Sequence, residues 1–324
     1  MAALIEVDAL SKRFGAILAV DNVSFSVAKG EVLGFLGPNG AGKSTSMRVI
    51  TGYLPPTSGT ARVCGEDIRT NPVAVKEKIG YLPEGAPLYG DMTVKGFLEF
   101  IAAIRHLSRA VRKRRIFEVV ERMGLEGVMF QRVETLSKGF KRRVGMAQAI
   151  LHDPEVLILD EPTESLDPLM RQQLFELFRD AQRRGTTIFM SSHVLADVEE
   201  TCERVALIRE GRIVRFGPVD DLRVGRVRTM QVTLREATDE FAVEGARVVE
   251  HDGRSVRLEV EGDINDVVRG LTGYDLEDVI YERMSLEDLF LGYYRGDEGE
   301  AVLLGVTEGG AIGVVVGGDR FEHL

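Results

Sequence analysis

Lys43 and Ser44 close the run Gly37-Pro38-Asn39-Gly40-Ala41-Gly42-Lys43-Ser44-Thr45, and Gly37 to Ser44 fits the spacing Gly-x-x-x-x-Gly-Lys-[Ser/Thr]. Glycines at these places let successive backbone N–H groups turn inward and surround phosphate oxygens. Lys43 can then reach the β- and γ-phosphates of a nucleotide, the Ser44 hydroxyl can coordinate Mg²⁺, and Thr45 can add a phosphate contact. A glycine turn without a ligand is the bland alternative. An apolar run before the loop and a helical pattern after it weigh against that alternative, because they supply the strand and the helix N-terminus that hold an anion.

A second group could do chemistry with the first. Val156-Leu157-Ile158-Leu159 is followed by two consecutive carboxylates, Asp160 and Glu161. Ligands of open α/β sheets bind at the C-terminal ends of buried strands. Asp160 is the candidate to hold Mg²⁺, and Glu161 the candidate general base that polarises an attacking water. Adjacent acids alone say little. Their place after four apolar residues, downstream of the phosphate loop, makes the pairing informative.

These residues need elements to position them. Leu4–Val7 and Val23–Val27 read as strands, with a turn at Ala28–Glu31 and a buried strand over Glu31–Leu36 that leads into the glycine loop. A helix is expected from Ser44 to Ile50, ending near Gly52. Apolar residues at helical spacing run from Val94 to Met123, and Ser137–Leu151 is a further helix. Val156–Leu159 reads as a strand buried on both faces. Leu169–Arg184 reads as a helix, Thr186–Met190 as a strand and Leu195–Arg204 as a helix. Ala206–Arg209 and Arg212–Phe216 form a hairpin about Glu210-Gly211. Strands alternating with helices predict an α/β core with a mainly parallel sheet. Beyond Val224 the texture changes. Met230–Leu234 and Val256–Val260 alternate as strands, Ile264–Leu271 reads as a helix, and Ser285–Phe290 opens with a capping-box pattern. Residues 225–295 are thus expected as a small α+β domain. Residues 296–324, rich in glycine and acid, are expected as a loose tail.

The chain has 324 residues, 44% of them hydrophobic and 28% charged, with a formal net charge of −10. That balance argues against a general nucleic-acid coat, which needs a basic surface. Arg112-Lys113-Arg114-Arg115 and Lys141-Arg142-Arg143 are local exceptions, and a solvated helix face is the expected role of the first. Cys64 and Cys202 are the two cysteines, too few and too distant to suggest a disulfide framework or a zinc site, and they fit a reducing cytoplasm. The start of the chain lacks a signal-peptide pattern, and no apolar stretch approaches the roughly 20 residues of a spanning helix. Any membrane role is expected to come through a partner.

Leu136-Ser137-Lys138-Gly139-Phe140 makes a resemblance specific. The chain resembles the nucleotide-binding subunit of an ATP-binding cassette (ABC) transporter, whose signature loop usually reads Leu-Ser-Gly-Gly-Gln. Leu136, Ser137 and Gly139 match, while Lys138 and Phe140 depart. The resemblance implies that Ser137 and Gly139 contact the γ-phosphate of ATP held by another protomer; N-capping by Ser137 is compatible with that role. Thr163-Glu164-Ser165-Leu166-Asp167 resembles the D-loop, with Ser165 where Gly or Ala is usual, and implies that Asp167 helps to join protomers. Ser191-Ser192-His193 resembles the switch-histidine segment, which implies that His193 senses the γ-phosphate and orients water. Phe14 stands where the family places an adenine-stacking aromatic. Ile79-Gly80-Tyr81-Leu82-Pro83-Glu84 resembles the Q-loop with Glu84 in place of glutamine. A carboxylate there can still coordinate Mg²⁺, and it adds negative charge near the γ-phosphate.

The resemblance covers residues 4 to about 220. It implies a P-loop ABC cassette over 1–224, with a mainly parallel core, an antiparallel β subdomain and a helical subdomain at about 90–150. It also implies ATP and Mg²⁺ as cofactors. Leu82–Tyr89, Asp91–Val94 and Ser285–Phe290 are similar to an export subgroup that includes gliding-motility-type and multidrug-type ATPases. One P-loop and one signature loop per chain imply a homodimer. The family also implies a multi-spanning membrane permease as partner, with the cassette on the inner face of the cell membrane, and no nucleic acid. Two rivals are a soluble ABC-type ATPase without transport and a non-catalytic ATP-binding subunit. A single cassette without sustained heptads disfavours the first, and intact Lys43, Asp160, Glu161 and His193 disfavour the second.

Overall fold

A computed structural model describes residues 3–85, 88–220, 228–238, 240–282, 303–306 and 312–315. The chain divides into two compact units, Met1–Val219 and Asp220–Leu324. The expected boundary at Val224 lies among residues 221–227, outside the described residues, as does the Ser285–Phe290 segment.

In the first unit, β1 (Ala3–Phe14) and β2 (Ile17–Ala28) pair antiparallel, longer than the apolar alternation alone marks. The fully buried β3 (Val32–Leu36) leads through the glycine loop into α1 (Lys43–Ile50). Then come β4 (Ser58–Val63), β5 (Glu66–Asp67), α2 (Pro72–Lys78) and β6 (Ile79–Leu82). A helical stretch follows: α3 (Val94–Ile104), α4 (Arg109–Arg122) and α5 (Lys138–Ile150). The unit finishes with β7 (Val156–Leu159), α6 (Pro168–Arg183), β8 (Thr187–Ser192), α7 (Leu195–Thr201), β9 (Arg204–Arg209) and β10 (Arg212–Pro218).

Two sheets share one apolar core. The larger has the order β10-β9-β3-β8-β7-β6, parallel except for β10, and the smaller is antiparallel in the order β2-β1-β4-β5. Phe25 of the smaller sheet meets Phe35 and Phe189 of the larger, with ring centroids 5.9 and 5.2 Å away. Register then decides the site. Leu36 pairs with Ser192, Leu159 with Met190, and Leu82 with Leu159. The residues that follow these strands therefore emerge side by side at one sheet edge.

Some expectations need correction. The helical pattern over Val94–Met123 resolves into two helices, α3 and α4; the chain turns at His106 (φ 55°), and Ser108 opens α4 in an extended conformation. Both helices bury apolar faces, so the period continues across the break. The helix expected to reach Arg204 ends at Thr201, because Glu203 N–H donates to Val32 O (3.1 Å) and Arg204 starts β9 beside β3. Arg115 is not on a solvated face: its guanidinium donates to Leu151 O (3.0 Å) and Ile150 O (2.7 Å), capping the C-terminus of α5.

The second unit builds β11 (Arg228–Leu234), β12 (Ala246–Asp252), β13 (Ser255–Val260), α8 (Ile264–Leu271) and β14 (Leu276–Glu282). The strands form an antiparallel sheet in the order β12-β13-β11-β14. Val232, Val256, Leu258 and Val267 are fully buried in its own core. Within the segment expected as a tail, β15 (Leu303–Val306) and β16 (Ile312–Val315) pair antiparallel.

Candidate functional site

Gly37 leaves β3 where an added Cβ would stand 2.4 Å from Ile208 O. Gly42 has φ +105° and would place a Cβ 2.4 Å from Ala19 O, so only glycine fits at this N-cap of α1. Pro38, Asn39, Gly40 and Ala41 complete the turn, with Ala41 N–H donating to Pro38 O (3.2 Å), and Thr45 stands in the first turn of α1. Lys43 is buried. Its ammonium donates to Gly37 O (2.5 Å) and Pro38 O (3.2 Å), and stands 3.6 Å from Glu161 Oε1. Ser44 Oγ donates to Glu84 Oε2 (3.2 Å), which brings the Q-loop position to the phosphate loop.

Asp160 and Glu161 follow β7, both buried. Asp160 N–H donates to Leu82 O (2.8 Å), tying the ends of β7 and β6. Ser191, on β8, joins the two acids: its hydroxyl donates to Asp160 Oδ1 (2.7 Å) and accepts from Glu161 N–H (2.9 Å). His193 follows β8 and donates from Nδ1 to Glu161 Oε2 (2.8 Å), with its backbone N–H also on that oxygen (3.3 Å). The Glu161 carboxylate is thus held between an ammonium and an imidazole. Its backbone is left-handed (φ 51°), a costly conformation for a side chain with a Cβ.

Asp160 Oδ2 is buried and accepts no hydrogen bond. A buried carboxylate oxygen with free lone pairs, together with Ser44 Oγ and the Glu84 carboxylate, suits a hard divalent cation such as Mg²⁺. No cluster of three or more His, Cys, Asp or Glu side chains fit to hold a metal occurs among the described residues.

A second group lies on α5 and α6. Ser137 caps α5, accepting Phe140 N–H (3.3 Å), so the N-capping reading holds. An added Cβ on Gly139 would stand 2.9 Å from Ser165 O, and Ser165 is itself left-handed (φ 62°). Asp167 caps α6 through Met170 N–H (3.0 Å) and pairs with Arg143 (3.1 Å). The Met170 N–H, with Arg143, holds the Asp167 carboxyl below the usual carboxylate range. Phe14 ends β1 half exposed, with Lys12 Nζ 5.1 Å from its ring centroid. The geometry therefore joins Lys43 and His193 to Glu161 and Ser44 to Glu84 by direct contacts, with Asp160 bridged to the Glu161 amide by Ser191, while Ser137, Gly139 and Asp167 are linked to one another through Ser165 and Arg143.

Two residues escape the sequence reading. Ser191 was visible only as part of the switch segment, although a buried serine after Ile188-Phe189-Met190 signals a polar role. Arg142, within a basic run, is buried and donates to Pro83 O (3.1 Å), Asp160 O and Glu161 O. Burial lowers its pKa, and Glu164, Asp160, Glu161 and Glu84 raise it.

Comparison with known proteins places this geometry. The ABC transporter family (ABC_tran) matches residues 20–164. The linearmycin resistance ATP-binding protein LnrL of Bacillus subtilis (strain 168) is 36% identical over 242 residues, which covers 74% of this chain and 78% of LnrL. The probable multidrug ABC transporter ATP-binding protein YbhF of Escherichia coli (strain K12) is 36% identical over 220 residues, 68% of this chain but only 38% of YbhF. A solved ATP binding subunit of an ABC transporter superposes with a TM-score of 0.65 at 33% identity, covering 68% of this chain and 92% of that one. Phosphate loop, buried acids and mixed sheet together show that the chain belongs to the family of ABC transporter ATP-binding proteins.

Proposed function

We propose that this chain is the ATP-hydrolysing subunit of an exporter. It closes as a homodimer around MgATP and drives a separate multi-spanning membrane permease from the inner face of the membrane. The observation that carries the reading is the Glu161 carboxylate, fixed 3.6 Å from Lys43 and 2.8 Å from His193 at the mouth of the phosphate loop. Among the described residues no helix is long and apolar enough to cross a membrane, which supports a partner for the spanning part. The names of LnrL, a resistance protein, and YbhF, a multidrug transporter protein, support the outward direction.

The residues divide the work. Backbone N–H groups of Gly40 to Thr45 and the N-terminus of α1 bind the phosphates, and Lys43 moves from carbonyls and Glu161 onto phosphate oxygens. Glu161 accepts the proton of the attacking water, and His193 keeps that carboxylate oriented while its exposed edge faces the γ-phosphate. Ser44, Asp160 and Glu84 would hold Mg²⁺, whose charge would offset that of the nucleotide phosphates. Phe14 stacks on the adenine. Ser137 and Gly139 complete the site of the opposite protomer, and Asp167 lies at the junction between protomers. Most of the rate comes from positioning and preorganised charge.

Glu161→Gln tests the reading. Turnover should fall about 10²- to 10⁴-fold, the usual contribution of a general base. ATP binding should persist, and light scattering should detect an ATP-dependent dimer. Turnover within about threefold of the parent protein would remove Glu161 from the mechanism.

A further inference from the structure

Arg142 is 5% exposed, and its hydrogen bonds go to backbone carbonyls. Its guanidinium donates to backbone oxygens of separate segments: Pro83, one residue before Glu84, and the consecutive Asp160 and Glu161. Two successive carbonyls converge on one nitrogen only if the chain bends sharply, and Glu161 supplies the bend with its left-handed φ of 51°. The amide side of the Asp160–Glu161 peptide is held by Ser191 Oγ. The peptide chain at Glu161 is thus gripped from both sides, by β8 and by α5.

We infer that Arg142 is a positioning residue for ATP hydrolysis: by clamping the carbonyls of Pro83, Asp160 and Glu161 it keeps Glu161 left-handed and aims its carboxylate between Lys43 and His193. Relaxation of Glu161 to an ordinary backbone conformation would swing the side chain away from both. Forked donors in a fixed plane make arginine suited to hold several carbonyl oxygens at once. The same side chain joins α5, whose N-terminus is capped by Ser137, to the Glu84 loop and the end of β7. A displacement of α5 therefore reaches Glu161 through one group, without passing through nucleotide.

The inference rests on Glu161 acting as the base, and a double-mutant cycle separates the two. Single-turnover hydrolysis of radiolabelled ATP and equilibrium binding of a fluorescent ATP analogue are measured for the parent, R142M, E161Q and R142M/E161Q. Misaiming a reacting group by about 1 Å can cost about 10²-fold, so R142M should lower the hydrolysis rate by about that factor. Its nucleotide affinity should stay within about threefold of the parent value. In the E161Q background, R142M should change the residual rate less than threefold, because the group it positions is already gone. R142K, which retains a donor, should recover part of the loss. R142Q carries the same test if R142M fails to bind nucleotide. A parent-like rate in R142M or R142Q, or an equal loss with and without E161Q, overturns the inference. A parent-like rate in E161Q overturns the reading beneath it instead.

Discussion

Ser191→Ala removes one hydroxyl that serves both adjacent acids. Ser191 is fully buried, donating to Asp160 Oδ1 at 2.7 Å and accepting Glu161 N–H at 2.9 Å. Alanine fits the space but leaves a buried N–H and a buried carboxylate oxygen without partners, and Asp160 Oδ2 already lacks a hydrogen bond. Each orphaned buried group costs about 1–3 kcal/mol, and a charged one costs more. The sum is about 3–5 kcal/mol. For a unit of this size about 2–4 °C of melting temperature goes with each kcal/mol, so a fall of roughly 6–20 °C is expected. Ser192→Ala is the internal comparison. Ser192, equally buried, bonds only within its own turn, to Val194 O (3.0 Å) and from Val194 N–H (2.9 Å), so its removal orphans neutral backbone groups and no carboxylate. Its loss should cost about 1–3 kcal/mol. Thermal and urea unfolding followed by circular dichroism measure both. A stability loss for S191A no greater than that for S192A would refute the bridging role of Ser191.

Gly42→Ala should abolish nucleotide binding, because it adds a Cβ 2.4 Å from Ala19 O at φ +105°, whereas Gly40→Ala (φ +83°, open space) pays only about 1 kcal/mol of backbone strain. Titration with a fluorescent ATP analogue checks this, and equal affinities for the two variants would count against the steric argument. Burial, reinforced by Arg105 and Arg115, pulls the His152 pKa down to about 4. The folded state therefore takes up this proton less readily than the unfolded chain. Stability from this group is fully present above pH about 6.5 and drains as pH falls toward 4, by up to about 3 kcal/mol. His152→Gln, which can still donate to Ile79 O, should flatten urea stability across that window; an unchanged slope would exclude His152 as the titrating group.

What the residues alone could reveal was whatever lies close along the chain. Gly37 to Thr45 is one strand, one turn and one helix start, so its spacing is its geometry. Val156 to Glu161 is similar: four buried positions and two acids state their own placement. The break at His106 escaped because a left-handed residue leaves no mark on an apolar period that both helices share. The short β4, β5 and α2 escaped because they lack a period long enough to read.

Only tertiary structure could bring Glu161 to His193, 32 residues away, because that meeting depends on the register of β7 against β8. Only packing could make Arg142, one of three basic residues in a row, a buried clamp on the backbone of Glu161. Side-chain type announces what chemistry is available. Which atoms stand within 3 Å of one another is set by strand pairing and helix packing across the whole unit.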